Sequence, residues 1–300
     1  MTCRMFSGSA KNSSVSFMAV APHFWINGKL LPAAEAGISP LDHGLLVGDG
    51  VFETLIARRG QPFAARRHYL RLARSCETMG IQVPLEADVL KGMRAVLECA
   101  GLEEGRIRVT VTSGTGPIGS QRGHDAPTVV ILVVGLTAWP AMEKVVTVPW
   151  PRNERGALAG VKSTSYGENV LALSRAKQLG AGEAIFRNTL GQLCEGTGSN
   201  IFVAIDGEIH TPPLDSGCLA GVTRALVIER VAAKAGVTIH ETALAGDILQ
   251  SCDEAFLTST TRDVQPIQVA DGRVFGTSAG PLTQKLQATF ASLATSEIDP

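Results

Sequence analysis

The stretch GVKSTSYGENV, residues 160–170, sets a lysine between a Gly-rich loop and the start of a helical pattern. By residue type alone Lys162 is a solvated loop lysine, since lysines mostly stay exposed. A lysine that forms imines must instead lose its charge, through burial or a cationic neighbour. It also needs a carbonyl partner held by other groups, and candidates for those groups lie on both sides of it.

Downstream, LAGVTRAL (Leu219–Leu226) places a glycine before a helix whose first backbone N–H groups are free and aligned with the dipole. That is an anion site for a phosphate monoester, or else an ordinary helix start capped by Thr223. LTSTTRDV (Leu257–Val264) follows an apolar strand with four hydroxyls, Thr258, Ser259, Thr260 and Thr261. They line the same phosphate or form a solvated loop. Upstream, RRHYLRLARS (Arg66–Ser75) carries Arg71 on a basic helix, as a phosphate ligand or as part of a solvated face. Glu195, between Cys194 and Gly196, is a turn residue or the acceptor for a protonated pyridine nitrogen. No GxxxxGKS, HExxH or GxSxG string occurs, so phosphoryl transfer, zinc hydrolysis and serine hydrolysis lack their usual signals.

Composition agrees with small-molecule chemistry. The chain has 300 residues, 45% of them hydrophobic, with 27 basic against 28 acidic side chains. Near-balance argues against a broad surface for nucleic acid or an anionic membrane. The six cysteines are scattered, with no CxxC pair and no histidine at metal-ligand spacing, and read as reduced cytosolic thiols. No apolar window approaches the ~18 residues of a membrane span.

Strand and helix patterns interleave in both halves, which gives an α/β class (α+β with two domains). Asn27-Gly28 marks a hairpin, and Arg59-Gly60 turns a second strand pair. His68–Met79, Leu90–Ala100, Asn169–Leu179 and Thr223–Ala235 have helical periodicity. Arg106–Val111 alternates as a half-buried strand, and TVVILVV (Thr128–Val134) reads as a strand buried on both faces. Residues 1–22 are expected to be a disordered tail, or residues 1–17 to precede a true start at Met18. The expected domains are a smaller one over 23–138 and a larger one over 153–300 carrying Lys162, joined by a Pro- and Trp-rich linker over 139–152.

Taken in order, LDHGLLVGDGVFET (41–54), GVKSTSY (160–166), EAIFRNTLGQLCEGTGSNIFV (183–203), IHTPPL (209–214), GCLAGVTRALVIE (217–229) and DEAFLTSTTRDVQPI (253–267) resemble the class IV, fold type IV, enzymes that depend on pyridoxal 5′-phosphate (PLP). That family contains branched-chain aminotransferases, D-amino-acid aminotransferases and 4-amino-4-deoxychorismate lyase. The resemblance implies that Lys162 carries PLP as a Schiff base and shuttles protons, and that Glu195 pairs with the pyridine nitrogen. It implies that Arg71, the backbone of Val222 and Thr223, and the Thr260 hydroxyl cradle the phosphate. Tyr166 matches a tyrosine placed near the ring hydroxyl, one residue closer to the lysine than in the branched-chain enzymes. Phe52, Arg108 and Thr261 fall at substrate positions, Arg108 as a candidate for a substrate carboxylate or as a solvent-facing strand arginine. A cytoplasmic homodimer without metal is the family expectation.

Pocket residues bear on the reaction. D-amino-acid aminotransferases have a tyrosine where Phe52 stands and an Arg-x-His trap where Ile118 and Ser120 stand, although Arg122 and His124 lie close enough in sequence to substitute. Branched-chain enzymes show a tyrosine where Val47 stands and K-x-G-G-N-Y in place of Lys162–Tyr166. PWPRNERGALAGVKSTSYGENV (149–170) and LCEGTGSNIF (193–202) look most like aminodeoxychorismate lyases, which release 4-aminobenzoate and pyruvate in the folate pathway. The better-studied lyases have an arginine where Ile118 stands and an asparagine within the hydroxyl loop. The expected activity is therefore that lyase, the alternatives being an aminotransferase on branched-chain or D-amino acids and a PLP-binding protein without turnover.

Overall fold

The computed structural model describes residues 23–300; the stretch 1–22, expected to be a tail, lies outside the described residues. Two sheets organise the chain. The first is fully antiparallel, in the order Lys29–Pro32, His23–Ile26, Thr128–Val134, Gly105–Thr112, Gly50–Arg58, Gln61–Pro62. Its hairpins turn where expected, with Asn27, Gly28, Arg59 and Gly60 all at positive φ. Strand alternation divides its faces. Val51, Leu55, Ile107, Val109, Val111, Ile131 and Val133 point toward helices Ala65–Met79 and Glu86–Ala100 and form one core with Leu72, Met93 and Val96. Phe52, Thr54 and Arg108 take the opposite parity and line a cavity.

The second sheet is mixed and nine-stranded. Its path runs Ile239–Glu241, Glu208–Thr211, Asn200–Ile205, Glu254–Ser259, Asp263–Ala270, Glu143–Thr147, Glu183–Arg187, Leu193–Gly196, and Arg273–Val274 pairs beside Asp263–Ala270. NIFVAI (Asn200–Ile205) shows why the sheet is central: Phe202 and Ala204 enter one core, Ile201 and Val203 another. The first core lies under the helical run 222–235 and helix Pro281–Ser296, and helix Gly167–Gln178 covers a third cluster around Phe186. Among the described residues no helix is long and apolar enough to cross a membrane.

Three expectations need correction. TVVILVV is buried on one face only: Ile131 and Val133 are sealed by the helices, and the alternating residues are half-buried. An unbroken apolar run fits a half-covered strand as readily as a buried one. The stretch expected as a linker holds strand Glu143–Thr147, which pairs in parallel with both Asp263–Ala270 and Glu183–Arg187. Five residues flanked by Pro and Trp carry too little periodicity to reveal it. The helix expected from Thr223 is interrupted by a wide turn at Val227–Val231.

Candidate active site

Lys162 is fixed by its backbone to the end of the first sheet. Phe52 N–H donates to the Lys162 carbonyl at 2.9 Å, Thr164 N–H donates to Gly50 O at 2.8 Å, and Val51 and Ser163 form a bridge. Its side chain turns into a cavity of about 790 Å³ between the sheets, also lined by Arg71, Arg108, Arg152, Tyr166, Glu195, Gly221, Val222, Thr223 and Thr258–Thr261. The amine stands 4.5 Å from the centroid of the Phe52 ring. Burial, reinforced by Arg71, lowers the Lys162 pKa to about 8, against the upward pull of Glu53 and Glu195. Every site residue expected from sequence (Phe52, Arg71, Arg108, Lys162, Tyr166, Glu195, Val222, Thr223, Thr260 and Thr261) lines this one cavity. Arg122 and His124 do not; Asp49 holds the Arg122 guanidinium through two bonds of 2.6 and 2.7 Å.

Arg71 is locked from behind by residues the sequence reading passed over. Glu53 points to the helix side of its strand, opposite to Phe52. His68 and Arg71, three apart on helix Ala65–Met79, meet it together. Glu53 accepts from Arg71 Nε and Nη2 at 2.7 Å each and from His68 Nδ1 at 2.7 Å. Burial alone would raise the Glu53 carboxyl, but the Arg71 guanidinium and His68 hold it far below the usual carboxylate range. Burial lowers the His68 pKa against the upward pull of Glu53. The remaining Arg71 nitrogen, Nη1, donates to Ala220 O at 3.0 Å beside the 221–223 backbone.

That backbone is open to an anion. A Cβ on Gly221 would lie 2.0 Å from Asn200 Oδ1, so only glycine lets the helix start close against that strand. The Thr258 hydroxyl, in the cavity wall, is buried without a hydrogen-bond partner. Free helix N–H groups, a guanidinium and an unpartnered hydroxyl suit a phosphate dianion. A PLP-sized group therefore fits the residues present.

Glu195 is next to last in strand Leu193–Gly196, with Oε2 accepting from Leu219 N–H at 2.9 Å and Oε1 3.2 Å from Arg152 Nε. Burial raises its pKa, opposed by Arg152 and the Leu219 N–H. Arg152 stacks over Phe186, with its guanidinium carbon 4.2 Å from the ring centroid. It was missed because it lay in the presumed linker. Tyr166 meets Phe52 edge to face at 5.2 Å, and its hydroxyl donates to Thr197 O at 2.6 Å. Burial pushes its pKa up to about 12, so the phenol keeps its proton.

The lysine's lowered pKa has a measurable consequence. Only the uncharged amine is nucleophilic, so its reactivity rises as pH rises through its pKa. The rate of PLP incorporation into cofactor-free protein is expected to climb between pH 6 and 9 with a midpoint near 8. An ordinary lysine would place that midpoint at ~10.4. Stopped-flow absorbance checks this, and a rate still rising steeply above pH 9.5 would refute the depressed amine.

Comparison with known proteins follows the same lines. Residues 50–270 match the amino-transferase class IV family. The chain is 32% identical over 289 residues to a branched-chain-amino-acid aminotransferase of Pseudomonas aeruginosa, covering 92% of this chain and 94% of that protein. It is 30% identical over 275 residues to a D-alanine aminotransferase of Bacillus licheniformis, covering 90% and 96%. The solved branched-chain amino acid aminotransferase of Escherichia coli superposes with a TM-score of 0.85 at 26% identity, covering 91% and 94%.

Proposed function

From the premise that this chain belongs to the class IV aminotransferase family, whose cofactor is PLP, we propose that it is a lyase converting 4-amino-4-deoxychorismate to 4-aminobenzoate and pyruvate. The observation that carries this reading is Arg108. Of the three arginines lining the cavity it alone has no carboxylate partner among the described residues: Arg71 is held by Glu53 and Arg152 by Glu195. Its guanidinium carbon lies 3.4 Å from the Phe52 ring centroid and Nε donates to Thr110 Oγ1 at 3.2 Å, which leaves its outer nitrogens for a ligand. Burial lowers its pKa only to about 10, so it stays cationic. A free cation in a cavity also lined by Thr54, Ser163 and Thr261 suits a carboxylated, hydroxyl-accepting ring better than a branched aliphatic chain.

In this reading Arg71, the Val222 and Thr223 N–H groups and the Thr258 and Thr260 hydroxyls would hold the phosphate, and Glu195 would accept the pyridine N–H. Tyr166 and Phe52 wall the ring. Bound PLP supplies an electron sink for the charge left when a proton departs the carbon bearing nitrogen. Lys162 Nζ takes that proton, and Arg108 orients a substrate carboxylate. The ring C–O bond to the enolpyruvyl group breaks, a proton returns to its methylene carbon, and the atoms of substrate and two products balance without a co-substrate.

A second reading, an aminotransferase on branched-chain or D-amino acids, is favoured by the names of the relatives. One preparation separates the two. Supplied with aminodeoxychorismate, the enzyme should release pyruvate and 4-aminobenzoate in equal amounts. Supplied with L-leucine or D-alanine and 2-oxoglutarate, it should form little glutamate. Amino exchange without aromatic product would overturn the lyase reading. Arg108→Ala should raise KM for the carboxylated substrate roughly 10- to 100-fold with little change in kcat, the loss of one charge-assisted hydrogen-bond pair. Unchanged steady-state kinetics would remove Arg108 from the substrate site.

We also propose a cytoplasmic homodimer of two-domain subunits. Leu41, Leu45, Val47 and Ile118 are exposed on adjoining segments, a short helix with its flanks and a loop, joined by Gly116 N–H to Leu41 O, an apolar patch that a second subunit would cover. Light scattering on the purified chain tests it, a monomer mass being the adverse result.

A further inference from the structure

Behind the turn that follows Glu195 lies a buried carboxylate with no part in the roles above. Glu183 is 2% exposed, at the start of strand Glu183–Arg187. Its Oε1 accepts the Thr197 backbone N–H at 3.0 Å and the Thr197 hydroxyl. Its Oε2 accepts the Ser199 hydroxyl at 3.0 Å and faces Arg262 Nη2 at 3.7 Å. Gly196 packs against the same group: a Cβ there would stand 2.3 Å from Ser199 Oγ and 3.2 Å from the Glu183 carboxyl carbon.

The contacts continue to the cavity. Thr197 O accepts both the Tyr166 hydroxyl and Asn169 Nδ2, each at 2.6 Å. Asn169 Oδ1 in turn accepts Arg152 Nη1 at 3.2 Å, and Arg152 Nε faces Glu195 Oε1 at 3.2 Å. A turn written Gly196-Thr197-Gly198 has a permissive backbone and would not by itself hold one carbonyl in place. A buried carboxylate is costly unless its lone pairs are satisfied, and here the turn satisfies them. Helix Gly167–Gln178, which carries Asn169, reaches the sheet edge through the same carbonyl.

We propose that Glu183 is a positioning residue: by fixing Thr197 it sets the orientation of the Tyr166 phenol and, through Asn169, the seat of Arg152 against Glu195. It touches neither substrate nor cofactor. The inference goes beyond the choice of reaction and holds for lyase or aminotransferase alike.

The chain has two tyrosines, Tyr69 and Tyr166, so labelling tyrosine with carbon-13 at Cζ gives two resonances, assigned with Tyr69→Phe. Tyr69 is a remote control, its hydroxyl bonded to Pro84 O. In Glu183→Gln the Tyr166 resonance should move or split, with and without PLP, and the Tyr69 resonance should stay. In the same variant kcat should fall about tenfold, with KM changed less than about twofold, as for one lost hydrogen bond to a charged group. Thr197→Val, which removes the hydroxyl and keeps the backbone bond, should shift the Tyr166 signal in the same direction by less. If Glu183→Gln does not fold, Thr197→Val decides alone. An unmoved Tyr166 resonance in the variant that folds, or equal movement at Tyr69, would overturn the proposal.

Discussion

Lys162→Ala is expected to lower turnover by at least ~10⁴-fold, the upper range for loss of a proton-transfer group, because the same amine is also the nucleophile. Thermal stability should change little. The lysine's contribution to the fold runs through its backbone, by way of Phe52 N–H and its own carbonyl, which alanine retains. Its amine faces the cavity without an ion-pair partner among the described residues, and burial already disfavours its charged form. Removing it relieves a desolvation cost rather than breaking a bond. The groups proposed to hold the phosphate are untouched, so PLP should still bind, non-covalently and more weakly. Borohydride treatment followed by peptide mapping adds a second readout. The pyridoxyl group should fix on the peptide containing residues 160–170 in the native protein and nowhere in the variant. A reduced pyridoxyl on another lysine of the native protein would dismantle the assignment of the whole cavity.

Glu53→Ala should have the largest effect on stability, a loss of about 3–5 kcal/mol, the usual result of removing one partner from a buried charge network. Arg71 would lose both bonds from its Nε and Nη2, and His68 its acceptor, all within a sealed part of the structure. PLP affinity should fall with it, because Arg71 would no longer be braced toward Ala220 and the 221–223 backbone. Glu53→Gln keeps the volume and should cost less. The pH dependence follows from the direction of the shift. The Glu53 carboxyl is held far below its unfolded value, so its contribution is complete above ~4.3 and is lost as pH falls below that. Denaturant melts of native protein and Glu53→Gln should therefore differ by a constant amount from pH 6 to 8 and converge toward pH 3. A gap that widened in acid would contradict the network. His68 acts in the same direction: its pKa is lowered, so protonation below ~6.5 favours the unfolded chain.

These two residues show how unevenly the site could be read. Lys162, Glu195 and the two loops proposed to face the phosphate sit in short runs whose turns, helix starts and hydroxyl content are local properties. They were legible as a set once their order along the chain was considered. Glu53 was not legible, although it adjoins Phe52. In a strand, neighbouring residues face opposite sides, and nothing in GVFET says which side meets a basic helix. Arg152 was hidden in a stretch whose Pro and Trp content suggested a linker, while strand Glu143–Thr147 beside it pairs with Glu183–Arg187 and with Asp263–Ala270, the latter more than a hundred residues further on. Conversely, Arg122 was near the substrate region in sequence yet is bound to Asp49 and lies outside the cavity.

By resemblance to a family the amino-acid sequence pointed to Lys162, Glu195 and the segments proposed to face a phosphate, and by itself it determined the alternation of strands and helices and the hairpins at Asn27-Gly28 and Arg59-Gly60. Those depend on period, turn chemistry and residue type within a few positions. Only the tertiary structure decided which groups are free and which are engaged: Arg108 open to a ligand, Arg71 braced by Glu53, Arg152 set against Glu195, Tyr166 tied to Thr197. The reason is physical. Whether a charge is available depends on partners brought to within about 3 Å by folding, and strand pairing and burial choose them across long separations that no local pattern encodes.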